Sequence, residues 1–263
     1  MTKIIALCGK KQSGKTTLSN YLHGYELKRH DVIEKFFVSP EGQLVVNCTF
    51  HDEDGKEFEE MGLLDLQQNT EEFYQYASRR IWPLIRGYNF ADSLKEICVM
   101  LFDIPSECVY GTNEQKNQIQ EHLLWENMPL DTNKSGPMTS REFMQCFGTD
   151  VMRKIYSPIW LNNCFKRIES DKPDIAVISD CRFMNEVKAV QDKGGQVIRL
   201  SRSLYESNHP SEIDADNYTE FDAVINNQDM TIEESCKQFI DKLVELGVTK
   251  KLRQIGKYTA SIK

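Results

Sequence analysis

The chain has 263 residues, 40% of them hydrophobic and 27% charged, the balance of a folded globular protein rather than a disordered one. Lys and Arg total 32 against 40 Asp and Glu, so the net charge is −8, which argues against nucleic acid as a partner and leaves room only for a local anion site. There is no apolar run near the ~18 residues of a membrane span. Eight cysteines, none in a Cys-x-x-Cys pair, and an N-terminus without the features of a signal peptide imply scattered reduced thiols and a cytoplasmic setting, host cytoplasm if the source is viral.

In chain order, residues 3–8 read as a fully buried strand, followed by a glycine-bearing loop and a helix over about 15–22. Phe36-Phe37-Val38 and Leu44-Val45-Val46, separated by Ser39-Pro40-Glu41-Gly42, read as a β-hairpin, and Asp52–Gly55 as another turn. Thr70 caps a helix that stops before Pro83, and Asp92–Phe102 forms a second one with Leu94, Ile97, Cys98 and Leu101 on its apolar face. Residues 110–137, rich in Asn, Gln, Gly and Pro, read as loop. Thr139 or Ser140 then caps a helix ending near Gly148, and a further helix covers about 158–170. Strands at 175–179, 197–200 and 223–225 alternate with helices at 184–193 and 232–246. Short apolar strands alternating with helices imply an α/β fold with a parallel sheet covered on both faces, and the hairpin departs from that rhythm as an insertion. The basic stretch from Lys250 onward reads as a solvated tail.

The strongest chemical signal is Gly9-Lys10-Lys11-Gln12-Ser13-Gly14-Lys15-Thr16. It fits Gly-x-x-x-x-Gly-Lys-[Ser/Thr] at every fixed position, between a buried strand and a helix. The glycines let backbone N–H groups turn inward around a phosphate, and the helix N-terminus adds its positive dipole end. Lys15 is expected to reach the β- and γ-phosphates of ATP, and Thr16 to ligate Mg²⁺. Asp180, at the carboxyl end of a buried strand, suits a second magnesium ligand or a helix N-cap. Arg182 suits a phosphate grip or an ion pair with Glu186. Arg202 opens a polar loop, where it either closes over the γ-phosphate or is ordinary surface charge. His209, alone in that loop, reads as a surface residue.

Several strings resemble the phage-type deoxynucleoside monophosphate kinase family. They are the phosphate loop through Thr17, Tyr88-Asn89-Phe90-Ala91-Asp92-Ser93-Leu94-Lys95-Glu96, Cys108-Val109-Tyr110-Gly111-Thr112, and Trp125-Glu126-Asn127-Met128-Pro129. Gly136-Pro137-Met138-Thr139-Ser140-Arg141-Glu142, Phe147-Gly148-Thr149-Asp150, Asp180-Cys181-Arg182-Phe183-Met184-Asn185-Glu186 and His209-Pro210-Ser211-Glu212 continue the likeness in order. The family usually has Pro where Met184 stands, which alters the turn more than the chemistry.

The resemblance implies a single P-loop kinase domain: core 1–25 and 171–247, hairpin insertion about 33–60, nucleoside-monophosphate region about 70–165, lid about 202–218 and basic tail 248–263. It implies phosphoryl transfer from ATP with Mg²⁺ to a deoxynucleoside monophosphate. Gly9, Lys11, Ser13, Gly14, Lys15, Thr16 and Thr17 would hold the nucleotide, Thr16 and Asp180 the metal. Lys15, Asp180, Arg182 and Arg202 would be catalytic, and Lys95, Arg141, Gln145 and Arg153 would serve the acceptor. For Arg141 a solvated surface arginine is the competing reading. A P-loop kinase of another small acceptor and a nucleotide-gated regulatory ATPase remain alternatives. The insertion is open to three roles: a lid, a contact in a homodimer, or a surface elaboration.

Overall fold

Residues Lys3–Cys8 form β1, whose positions 5 to 8 are fully buried on both faces. Gly14 then adopts a left-handed conformation (φ 97°) that turns the chain into α1, Lys15–Arg29. The helix runs about two turns beyond the expected 15–22, carried by buried Leu22, Tyr25 and Leu27. Three antiparallel strands follow: β2 (Phe36–Val38), β3 (Leu44–His51) and β4 (Glu57–Leu63). The expected hairpin is therefore present, with Phe37 opposite Val45, and β4 adds a strand the sequence reading lacked. Its turn is seated on α1: the Asn20 side chain donates to the Gly42 carbonyl at 2.8 Å. Deeper in the hairpin, a Cβ at Gly24 of α1 would lie 2.3 Å from a Phe36 ring carbon, so the missing side chain is what admits β2. The helix α2 (Glu71–Arg80) begins at Thr70, whose hydroxyl accepts from the Phe73 N–H, and ends before Pro83 as expected. Phe73, Ala77 and Ile81 pack with Leu27 in a small apolar cluster of their own. A short strand not anticipated from the sequence, β5, covers Ile85–Tyr88.

The computed structural model describes residues 1–51, 56–68, 70–131, 133–203 and 218–252. The chain divides into two compact units, Met1–Gly87 with Asp171–Lys263, and Tyr88–Ser170. The turn expected at 52–55, the loop from 204 to 217 with His209, and the tail beyond 252 lie outside the described residues.

The smaller unit is built from short pieces. They are α3 (Asp92–Phe102), α4 (Ser106–Tyr110), α5 (Asn113–Lys116), the two-stranded pair β6 (Ile119–Leu124) and β7 (Pro137–Thr139), α6 (Ser140–Gln145), α7 (Arg153–Ile155) and α8 (Ile159–Asp171). The stretch 110–137 is thus not mostly loop. Thr112 and Gln115 close a capping box on α5, and Thr139 and Glu142 close one on α6. The α6 helix also does not stop at Gly148: it continues as a π-helix over Cys146–Met152. Gly148 sits under Leu94, and its carbonyl accepts from the Trp160 indole at 3.0 Å. On α3 the apolar face is narrower than expected, since Leu94 and Cys98 are buried but Leu101 is 67% exposed.

The chain returns to the larger unit with β8 (Ile175–Cys181), α9 (Met184–Asp192), β9 (Gln196–Leu200), β10 (Ala223–Ile225) and α10 (Ile232–Glu245). The sheet order is β10-β9-β1-β8-β5, with β1 parallel to both β8 and β9, and β9 parallel to β10. This is the parallel α/β architecture expected. One face packs Ile5, Leu7, Val177 and Ile198 against Leu18 and Leu22 of α1 and Phe239 and Leu243 of α10. The other face carries α9, with Val187 and Val190 fully buried. Later strands lie on both sides of β1, so the crevice at its carboxyl end is a topological switch point, where open α/β sheets bind ligands. After α10 the chain stays anchored: Val248 and Thr249 are buried, Lys3 donates to the Gly247 and Val248 carbonyls, and the Leu252 N–H donates to the Tyr25 hydroxyl.

Candidate active site

Among the described helices α1 is the longest, and it begins without a side-chain cap and without an acidic residue in its first turn. The four Thr-capped helices make the contrast: Thr70, Thr112, Thr139 and Thr231 each satisfy an amide of their own helix. At α1 no side chain caps the first turn, so the positive dipole end meets the loop, and an anion is what it suits. The loop before it is shaped by Gln12 and Gly14, both with positive φ (61° and 97°). Ser13 is fully buried inside the loop, while Lys11 and Gln12 face outward.

Lys15 is only 7% exposed, and its ammonium is held by the loop itself. Nζ donates to the Gly9 carbonyl at 2.7 Å, the Lys10 carbonyl at 2.6 Å and the Ser13 hydroxyl at 3.3 Å. A buried ammonium with three oxygen partners is a preformed positive charge that can exchange carbonyl oxygens for phosphate oxygens. Thr16 is exposed and Thr17 half-buried on the first turn of α1.

The ends of the neighbouring strands complete this edge. Asp180 lies inside β8, half-buried, one residue before Cys181, which is the register partner of Cys8. It is therefore not an N-cap: the N-cap of α9 is Phe183, three residues later. Buried Glu186 orders that start by accepting from the Arg182 and Phe183 N–H groups at 2.8 and 3.0 Å, so its carboxylate serves the Arg182 backbone. Arg202 follows β9, and its Nε is buried without a hydrogen-bond partner among the described residues.

The residue sequence reasoning missed is Asn227. It is 3% exposed, its amide donates to the Ser13 carbonyl at 2.8 Å, and its carbonyl accepts from the Arg202 N–H at 3.0 Å. One side chain thus ties the phosphate loop to the start of the Arg202 loop. The signal that could have found it is the polar run Asn226-Asn227-Gln228 just past a strand of a parallel sheet. A cleft of ≈ 180 Å³ opens here, lined by Gly14, Thr17, Arg202 and Asn227 among others.

Below the loop, Cys8 and Cys181 touch across neighbouring strands. The Cys181 thiol donating to Cys8, helped by Arg199 (Nη1 to Sγ 3.4 Å) and Lys15, brings the Cys8 thiol down to about 7, while Cys181 is pushed well up by the same contact and by burial. Seven cysteines, Cys8 and Cys181 included, are buried free thiols, as the composition suggested.

Thr16 and Asp180 offer a hydroxyl and a carboxylate at the carboxyl edge of the sheet. Two hard oxygen donors of this kind fit Mg²⁺, and these are the residues that would hold it. Among the described residues no group of three His, Cys, Asp or Glu gathers into a metal cage.

The remaining sequence candidates lie in the smaller unit. Arg141, in the first turn of α6, is not freely solvated: Nε donates to Asn117 Oδ1 and Nη2 to Asn113 Oδ1, both at 2.9 Å. The two asparagines fix the plane of the guanidinium. Lys95 on α3 places its ammonium 5.3 Å from the centre of the Tyr110 ring. Gln145 ends α6, exposed, and Arg153 follows the π-helix, half-buried.

A parallel sheet with an uncapped glycine-loop helix at its switch point, and a buried lysine opening that helix, fits the fold of a P-loop kinase. The chain matches the deoxynucleotide monophosphate kinase family over residues 3–238 and belongs to it; it is a phosphotransferase. It is also 31% identical over 166 residues to a protein of Acanthamoeba polyphaga mimivirus that is named, provisionally, a deoxynucleotide monophosphate kinase, a match covering 58% of this chain and 79% of the viral one. No described helix is long and apolar enough to cross a membrane.

Proposed function

We propose that this protein transfers the γ-phosphoryl group of ATP, with Mg²⁺, to deoxynucleoside 5′-monophosphates, giving diphosphates for DNA synthesis. The observation that supports it is the held ammonium of Lys15, between the loop carbonyls and the uncapped start of α1. On this reading the loop amides and Lys15 bind the β- and γ-phosphates, and Thr16 and Asp180 would hold the metal, which would supply positive charge there. The acceptor phosphate is already ionised at pH 7, so it attacks in line without a general base. Arg182 and Arg202 supply positive charge at the transferring group, and Arg141, with Lys95, Gln145 and Arg153, serves the acceptor. The protein's contribution is positioning and charge neutralisation.

The test is ADP release from ATP·Mg²⁺ with each deoxy- and ribonucleoside monophosphate supplied in turn. Turnover that depends on a deoxynucleotide is expected. Turnover indifferent to every acceptor would transfer the reading to a regulatory ATPase or to a different small acceptor.

A further inference from the structure

The cleft beside the phosphate loop has one wall that the sheet core does not supply. Met230 and Ile232, at the start of α10, Arg202, and Pro40 and Glu41, at the tip of the β2–β3 hairpin, all line the cleft. The tip is held in place rather than loosely attached. The Gly42 N–H donates to the Ser39 carbonyl at 2.9 Å, closing the turn, and Gly42 takes φ 84°. A Cβ at Gly42 would lie 2.5 Å from the Thr17 hydroxyl, so the turn rests directly on the first turns of α1. Leu44, 1% exposed, and the Tyr21–Phe36 ring pair, 5.2 Å between centroids, anchor the strands behind it.

The lining is mixed in character. Gly14 and Thr17 bring the end of the phosphate loop and the first turn of α1 into it, which suit phosphate. Glu41 brings a carboxylate, which repels phosphate and suits hydroxyl or amino donors. Among the described residues Glu41 makes no hydrogen bond or ion pair, and the Arg202 Nε beside the cleft is an unmatched buried donor. Apolar Met230, Ile232 and Pro40 share the lining, as the faces of a flat heterocycle require.

We propose that the Pro40–Gly42 turn of the insertion is the outer wall of the donor nucleoside site, with Glu41 accepting a hydrogen bond from a hydroxyl or amino group of that nucleoside. This rests on the reading of the loop as the donor triphosphate site, and it gives the insertion a role in donor specificity.

The experiment is calorimetric titration of the full-length wild type and Glu41→Gln with Mg²⁺ complexes of ATP and of inorganic tripolyphosphate, which has no nucleoside. Glu41→Gln should weaken ATP roughly five- to tenfold and leave tripolyphosphate unchanged. Equal loss of both would make the turn a mere support of the phosphate loop, and loss of neither would place it outside the site; either overturns the proposal. Titration with 2′-deoxy-ATP, 3′-deoxy-ATP and inosine triphosphate identifies the group. The analogue lacking it should bind the wild type weakly and be indifferent to Glu41→Gln. If every analogue loses affinity as ATP does, no hydrogen bond is being read and the assignment falls. Failure of the wild type to bind either ATP or tripolyphosphate would strike the phosphate-loop reading itself, a result distinct from those above.

Discussion

In the larger unit, Asn227 reaches back across 214 residues of sequence to hold Ser13, inside a loop whose lysine is buried. In the smaller unit, Arg141 is held by Asn117 and Asn113, 24 and 28 residues away, at the surface. The difference is one of solvent. Polar groups in a dry loop must be matched by protein, so their geometry is fixed by the whole fold. Polar groups at the surface can fall back on water, so local caps and side-chain forks suffice. Substitutions should therefore cost most in the larger unit and least in the smaller one.

The largest effect is expected at Lys15. Its ammonium is buried against the loop carbonyls, whereas Lys11 of the same loop is exposed. Lys15→Ala should lower acceptor-dependent turnover by roughly 10³-fold or more, about 4 kcal/mol at the transition state, with the fold intact by circular dichroism. Near-normal turnover would remove the loop from the chemistry.

Next comes a pH effect on stability rather than on rate. His23, on α1, is 3% exposed, and burial brings its imidazole down to about 4 while its Nδ1–H donates to the Ser19 carbonyl at 2.8 Å. The unfolded chain takes up this proton below the ordinary value of 6.5, the folded one only near 4. Stability is therefore complete above the unfolded value and is lost as pH falls from there to about 4, levelling off below, a loss of roughly 3 kcal/mol from this group. Urea midpoints across that window should fall steeply for the wild type and less for His23→Gln. An identical slope in both would assign the acid sensitivity to other groups.

The same contrast explains what the sequence disclosed. The phosphate loop and β1, β8 and β9 were legible because buried parallel strands are unbroken apolar runs and the loop motif is contiguous. The hairpin was legible from two short apolar runs about its Pro-Glu-Gly turn. The elements that escaped are those whose burial contradicts their chemistry. In β6, Ile119 is 57% exposed while Gln120 is 7% exposed, the reverse of what hydropathy suggests. In β5, two of four residues are Arg and Gly, and Arg86 is carried by an ion pair with Asp171 at 2.9 Å. The π-helix has no signature in composition; within it Gly148 packs under Leu94, a contact distant in sequence. Asn227 escaped because its partners are distant in sequence, and the asparagines that orient Arg141 escaped for the same reason.

A smaller effect is expected at Asn227, where the loop meets the Arg202 strand end. Asn227→Ala removes the donor to Ser13 and the acceptor for Arg202, leaving both backbone groups to find water in a tight space. A loss of about 2 kcal/mol is expected from the two bonds, read as a lower urea midpoint with an unchanged slope. Saturating ATP should recover part of it, because ligand binding to the folded state reorders the same loop. A variant as stable as the wild type would show that the loop is held by Lys15 and its carbonyls alone.

The smallest effect, and the one that tests the other side of the contrast, is at Arg141. On the proposed reading its guanidinium faces the acceptor phosphate with a plane set by Asn113 and Asn117. Removing it should raise KM for the monophosphate about tenfold while leaving KM for ATP within twofold, since an exposed charge contact contributes only about 1–1.5 kcal/mol. Arg141→Lys keeps the charge but loses the fork, so recovery by Lys would mean that charge alone is used, and failure to recover would mean that the fixed plane matters. Asn117→Ala, which removes no charge, should then reproduce part of the loss. The unfolding midpoint is the control: because these bonds are at the surface, it should barely move. A large drop in midpoint with unchanged KM would show the fork to be a structural clasp between α5 and α6, and would leave the acceptor to the other cations of the smaller unit.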